Sequence, residues 1–351
     1  MQVTRTNPSP AALSALRGYF SRQGELNGVD SQTVSGGQSF AIEPTVQQTL
    51  HDTVQHSSAF LTQYVNFELV DDISGQKIFI DDDGLVITSN TDTSGSGKRS
   101  GIDPSTLKDK GYECRTNDFD TLLPWSKLNK WAKFPDFQMR LTEFLSKRQA
   151  LDHIKIGFNG TSYAANSNRT ANPLGQDVNI GWLQTIRAEA PAHVKSTDNS
   201  FGSAETDYFK NIDAMAFSAR KSLLDEVHRE RLDLVVILGS SLLNDKYFKV
   251  MNKEDIDPSE HTHRDALVSE KRIGGMEAIT VPYFPEDAFL IMPKGSLSVY
   301  EQEGSRRTKL DEDHASRGYN RWFTHNVDYV VENLGAVALV ENIVDSDEPT
   351  E

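Results

Sequence analysis

Apolar positions change their spacing within GYECRTNDFDTLLPWSKLNKWAKFPDFQMRLTEFLSKRQALDHIKIGF, residues 111–158. From Tyr112 to Leu122 they alternate as in a strand; beyond Pro135 they recur at helical spacing. Proline suits a first helical turn, where its missing N–H has no intrahelical partner, and Asp136 puts negative charge at the helix N-terminus. Phe137, Leu141, Phe144, Leu145, Leu151, Ile154 and Phe158 are predicted to line one face. The resulting rod, Pro135 to Phe158, would be about 36 Å long. Weaker helical patterns cover Leu13–Phe20, Val46–Val54, Trp182–Arg187 and Tyr208–Val227. LDLVVILGSSLLNDKYFKVMN reads as a buried strand followed by a helix. Strands are predicted within 278–300 and 326–343, with a polar connection, EQEGSRRTKLDEDHASRGYNRW, between them.

Two stretches have little to bury. Residues 1–40 end in a Gly/Ser/Gln-rich run that reads as an exposed linker, the kind of place where proteases cut. The segment before it is therefore expected to be detached from the body. Residues 75–124 read as a long hairpin whose middle, SNTDTSGSGKRSGIDPSTLKDKG, is almost wholly polar. A free-standing hairpin is marginal in water, so this one is expected to find its partner surface on another chain.

Composition narrows the class. The chain has 351 residues, room for two or three domains and a sizeable core. A mean hydropathy of −0.50 calls for much polar surface or an extended shape. The single cysteine, Cys114, excludes an intrachain disulfide framework and fits a reducing compartment. The longest apolar runs are far too short to cross a membrane, and MQVTRTNPSPAAL lacks the apolar core of a secretory signal. A net charge of −15 argues against sequence-independent nucleic-acid binding. It is compatible with a protein that encloses DNA, since an acidic lining repels phosphates and leaves the DNA mobile.

The chemistry-bearing motifs fail one by one. SGSGKRS, residues 94–100, lacks the upstream glycine and the hydroxyl of a phosphate loop. His261 and His263 have no further Cys or His ligands nearby for zinc, and the runs Asp81–Asp83 and Asp311–Asp313 lack calcium-loop spacing. Cys114 reads as a packed thiol and the aromatics of 119–158 as core. No active site, cofactor site or metal site assembles, so no enzyme activity is expected. The rival reading is a soluble α/β enzyme with a nucleotide site at the turn after DLVVIL, where Gly239 is the only glycine of the fingerprint.

Many ordered stretches together resemble the major capsid proteins of P2-like tailed phages, from about Leu16 to Ile343. They include ELNGVD, FAIEPTVQQTL, SSAFLTQ, WAKFPDFQMR, KRQALD, GFNGTS, NPLGQDVNIGWLQTIRAEAPA, DLVVILGSSLLNDKYF, VPYFPEDAFLI, SLSVYEQEGSRR and NVDYVVE. The Pro/Ser/Ala-rich start and residues 193–207 depart from the family pattern. The resemblance implies an α+β chain of the Hong Kong 97-type capsid fold. Its parts would be a pre-segment (1–40), an N-terminal arm (41–74), an extended loop (75–118), a peripheral domain with a spine helix (119–158 and 281–345), an axial domain (159–280) and an acidic tail (346–351). It further implies self-association into the pentamers and hexamers of an icosahedral head around phage double-stranded DNA. The implied partners are a scaffold, a prohead protease and a portal protein, and the implied place is the virion, assembled in the bacterial cytoplasm. Maturation would remove the pre-segment by cleavage between Phe40 and Ala41. Lys98 and Arg99 at the loop tip would contact neighbouring subunits. A scaffold or adaptor that binds capsids without forming the shell is the further alternative.

Overall fold

Ser9 accepts a hydrogen bond from the Ala12 N–H and Pro10 takes the first helical position, so the chain folds into a helix almost at once: α1, Pro10–Leu26. The computed structural model describes residues 7–77, 80–82, 88, 90, 91, 94, 98, 99, 105–107, 110–132, 134, 136–202, 208–243 and 271–346. After α1 come α2 (Ser31–Ser35), the two-residue strand β1 (Phe40–Ala41), α3 (Pro44–His56) and α4 (Ala59–Tyr64). The next strand, β2 (Val65–Val70), leads into a hairpin of β3 (Ser74–Lys77), β4 (Ile80–Asp82), β5 (Ser105–Leu107) and β6 (Lys110–Glu113). There β3 pairs with β6 and β4 with β5. Then follow β7 (Arg115–Asp118), β8 (Thr121–Pro124), α5 (Trp125–Trp131) and the long α6 (Phe137–Asn159).

The remaining elements are α7 (Trp182–Glu189), β9 (Val194–Lys195), β10 (Ser200–Phe201), α8 (Ile212–Leu223) and β11 (Leu234–Leu238). Beyond 270 come β12 (Arg272–Ile273), β13 (Met276–Thr280), β14 (Phe289–Pro293) and β15 (Leu297–Gln302). The chain closes with β16 (Arg307–Asp313), β17 (Gly318–Val331), β18 (Ala338–Val340) and β19 (Val344–Asp345).

Two sheets carry the architecture. One runs β1-β16-β17-β15-β2, with β7 and β8 also paired to the long β17. The other runs β12-β13-β11-β14-β18-β9. The second is covered on both faces at its centre, which is why β11, β14 and β18 read as unbroken apolar runs. Val235 and Ile237 of β11, with Leu290 and Met292 of β14, face a core shared with α4, α6 and α7. Their alternate neighbours, Val236, Leu238, Phe289 and Ile291, face a second core under α8. At the centre of the first core Trp182 is fully buried, and its indole N–H donates to the Ser298 carbonyl at 2.9 Å. A Cβ on Gly157 would come within 2.3 Å of that ring, so a glycine lets α6 and α7 pack this closely.

The spine helix forms as the spacing predicts, but turned. Phe137, Leu141, Leu145, Ile154 and Phe158 are buried, whereas Phe144 is 49% exposed and Leu151 only half-buried. The buried stripe continues through Gln149, Ala150 and His153 instead. Residues 301–322 are not a polar connection: they form most of the β16–β17 hairpin, in register from Arg307↔Thr324 to Asp313↔Gly318. Thr308 and Leu310 point inward while charged neighbours face out, an alternation that the high charge content hides. The predicted return strand of the long hairpin is split. Its part from Arg115 pairs with β17 of the same chain, and only β6 belongs to the hairpin.

The N-terminal segment is docked, not detached. Ala12, Leu16, Tyr19, Phe20, Val34 and Phe40 share a core with Trp125, Leu128, Phe137, Leu141, Leu145, Leu310 and Tyr319. Apolar side chains at helical spacing in α1 supply the free energy that its Gly/Ser-rich surroundings do not.

Candidate functional site

The expected processing junction lies on the border between the docked segment and the body. Phe40 and Ala41 form β1, paired antiparallel with Thr308 and Arg307 of β16. The Ile42 N–H donates to the Arg306 carbonyl at 3.0 Å and extends the ladder by one residue. Phe40 is 7% exposed and Ile42 4%, while Ala41 between them faces solvent, the alternation of an edge strand over a core. Asn27, buried at the end of α1, accepts from the Glu43 N–H at 3.1 Å, so a residue before the junction holds one after it. Just before the junction Ser35, Gly36, Gln38 and Ser39 are open to solvent, with Gly37 at φ 68° beside Asp311.

Immediately after the junction α3 is anchored by a buried polar node. Glu301 of β15 and Arg306 are each 1% exposed and form a two-pronged ion pair: Nη2 donates to Oε2 at 2.7 Å and Nε to Oε1. The Gln47 side chain of α3 donates to Glu301 and to the Gln302 carbonyl, each at 3.1 Å, and accepts from the Gly304 N–H at 2.8 Å. His51 Nε2 and His325 Nδ1 stand 3.7 and 3.9 Å from the same carboxylate, too far for direct hydrogen bonds. His153 of α6 bonds the Tyr329 hydroxyl at 3.0 Å. Burial alone would raise the Glu301 pKa, but the charge and hydrogen bonds of Arg306 outweigh it and hold the carboxyl well below its usual range. Burial pushes His51 down to about 4 and His153 to about 3, so both stay neutral. Sequence spacing gave no sign of this node. Helical spacing points to a face of Val46, Leu50 and Val54, but Gln47 and His51 are the residues buried with Val54, while Val46 and Leu50 are only half-buried.

The hairpin β3–β6 leaves the sheet beside Cys114, Tyr300 and Val330. Of its outer part, Thr88, Asn90, Thr91, Ser94, Lys98 and Arg99 are exposed. The acidic run Asp311–Asp313, a candidate partner for Lys98 and Arg99 of a neighbouring chain, is engaged in part within its own subunit: Lys309 lies 3.2 Å from Asp311, and Asp313 caps the turn at Ala315 and Ser316. The side chains of Asp81–Asp83 and the histidines 261 and 263 lie outside the described residues.

The nucleotide reading fails on geometry. A Cβ on Gly239 would meet the Glu286 backbone at 2.2 Å, and the Glu286 carboxylate accepts from the Ser240 hydroxyl and from the Ser241 N–H and hydroxyl. A fixed anion thus fills the turn that a phosphate would need. Cys114 is buried, and burial raises its thiol pKa to about 12, which makes it inert as a nucleophile.

Known proteins resemble this chain along almost its whole length. Residues 15–343 match the model of the phage major capsid protein, P2 family. The chain is 42% identical to the capsid proteins of Escherichia phage P2 over 93% of its own length and 92% of theirs. It is 37% identical to the major capsid protein of Serratia phage KSP20, over 93% of its length and 94% of that protein. Among solved structures, a chain of the satellite phage P4 procapsid that includes the size determination (Sid) protein superposes with a TM-score of 0.77 at 39% identity. That superposition covers 89% of this chain and 95% of the other. The fold is the Hong Kong 97-type, the chain is a structural protein and not an enzyme, and it belongs to the P2 family of phage major capsid proteins, which build the icosahedral head from many copies of one chain.

Proposed function

We propose that this chain forms the pentamers and hexamers of the head, and that residues 1–40 are cut away after Phe40 as the head matures. A scaffold directs assembly in the host cytoplasm, a prohead protease makes the cut, a portal protein takes one vertex, and double-stranded DNA is enclosed without sequence-specific contacts. The observation that carries the reading is the position of Phe40–Ala41. It divides a docked N-terminal unit from an arm helix that is independently anchored through Gln47 to Glu301. The body therefore keeps its own fastening when the first unit is gone. The net charge of −15 supports enclosure without binding, because it repels phosphates.

The long hairpin is the proposed inter-subunit element, with Lys98 and Arg99 reaching acidic side chains of a neighbour. Each exposed pair adds only about 0–1 kcal/mol, but a shell repeats it many times. The proposed divisions are an arm over 41–74, an extended loop over 75–118, a peripheral domain over 119–158 and 281–345 and an axial domain over 159–280. Two measurements test the proposal. Intact mass on mature heads should give a chain beginning at Ala41, and a shell protein beginning at Met1 or Gln2 would refute the processing step. Deleting residues 90–103 should leave a soluble folded subunit that no longer forms shells by negative-stain microscopy; normal shells from it would refute the loop's role.

A further inference from the structure

Resting on the processing reading, we infer that the docked N-terminal segment is a latch on its own cleavage site. The Phe40–Ala41 bond is out of a protease's reach until residues 10–42 come off the body, so the cut reports undocking. Three observations converge. The Phe40 side chain sits in the core formed with Leu310, Tyr319 and the face of α6. A protease that cuts after an aromatic residue must take that side chain into its own pocket, and one ring cannot fill both places. The backbone on either side of the bond is already used, by Thr308 and Arg307 of β16 and by the Arg306 carbonyl just before that strand. Asn27 ties Glu43 to the end of α1, so the residues flanking the bond cannot lift away while α1 stays in place.

The exposed Ser35–Ser39 run offers a contrast within the same segment. It is solvent-accessible, carries no aromatic side chain, and ends where burial begins. The chain thus shows a protease an approachable lead-in and withholds the residue that specifies the cut. In the inferred opening, release of Phe40 is coupled to loss of the packing of Leu16, Tyr19 and Phe20, which belong to the same core as Phe40, Leu128, Leu141 and Leu145. Local openings of this kind set cleavage rates when closing is faster than cutting.

The test uses the full chain, unassembled and in shells, with a general protease that cuts after aromatic residues, alongside a free peptide spanning residues 34–47. Appearance of a new N-terminus at Ala41 is followed by mass spectrometry. The bond should be cut at least 100-fold more slowly in the chain than in the peptide. Leu16→Ala and, separately, Asn27→Ala should each speed that cut at least tenfold, although neither alters residues next to the bond. Cutting after Phe158, deep in the first core, is the control for global unfolding. If Leu16→Ala also opens Phe158, Asn27→Ala decides, since it removes two side-chain hydrogen bonds, to Gln23 and from Glu43, and little packing. Equal rates in chain and peptide, or no acceleration in the variant that keeps Phe158 protected, would overturn the latch. Because the protease is a general one, the result is independent of whether the head protease cuts here. Mass analysis of mature heads addresses that separately.

Discussion

Mild acid should loosen this protein through two histidines. His51 and His153 are buried between α3, α6 and the sheet, and burial lowers them from the ordinary 6.5 to about 4 and about 3. Around His51 stand Glu301, Arg306 and His325 from the sheet and Asp52 on its own helix; around His153 stand His325, Glu301, Arg306 and His51. A depressed histidine is neutral in the folded chain while the unfolded chain takes up a proton. The stability it lends is complete above the unfolded value, near 6.5, and falls as pH drops toward the folded values. Between pH 7.5 and pH 5 each histidine should cost about 2 kcal/mol, and the pair about 4 kcal/mol, an upper figure that relaxation of the site will reduce. Few carboxylates change charge above pH 5, so the window isolates the histidines. The assay is urea denaturation of the unassembled chain across that range, with proton titration of the histidine rings by NMR. The midpoint should fall steadily from pH 7 to pH 5, and His51→Gln should remove about half of the fall. Flat stability over this window, or rings at 51 and 153 that titrate near 6.5, would refute the reasoning.

Other consequences concern packing. Leu141→Ala, at a fully buried position of α6, should cost about 2–5 kcal/mol and yield insoluble or aberrant assemblies. Phe144→Ala, which loses an edge contact with Trp131 at 5.7 Å on a half-exposed face, should cost about 1 kcal/mol. Thermal midpoints that rank the two variants the other way would show the helix to be rotated from its described position. Cys114 should resist thiol reagents at pH 8 in the folded chain and react at the rate of a free thiol once unfolded; fast labelling of the native chain would contradict its burial.

How far the sequence led depended on whether a residue's partner was local. Leu234–Leu238 announced a doubly covered strand because every one of its side chains is apolar. The spine helix announced itself by spacing, yet Phe144 and Leu145 are neighbours in sequence and nearly a right angle apart on the helix. Periodicity alone could not choose between them, and packing against Leu128 and Trp125 chose Leu145. Gln47 and His51 read as solvent-facing because their partner, Glu301, lies some 250 residues away. The β16–β17 hairpin was hidden by charges on its outer face. The docking of α1 was hidden because its apolar stripe is short and the surface it meets comes from α5, α6 and β17. Of the chemical readings, the nucleotide one is answered at a single place, where the turn at Gly239 already holds the Glu286 carboxylate.

The docked N-terminal unit also makes a cut after Phe40 a change of molecularity. While the chain is continuous, α1 meets its face in a unimolecular step at an effective concentration on the order of millimolar. Severing one peptide bond leaves every contact in place but turns their re-formation into an encounter between two molecules. Dilution can then dissociate the fragment, and Leu128, Leu141 and Leu145 lose their cover. A single hydrolysis would thereby act as a ratchet, because the departed fragment has no tether to bring it back.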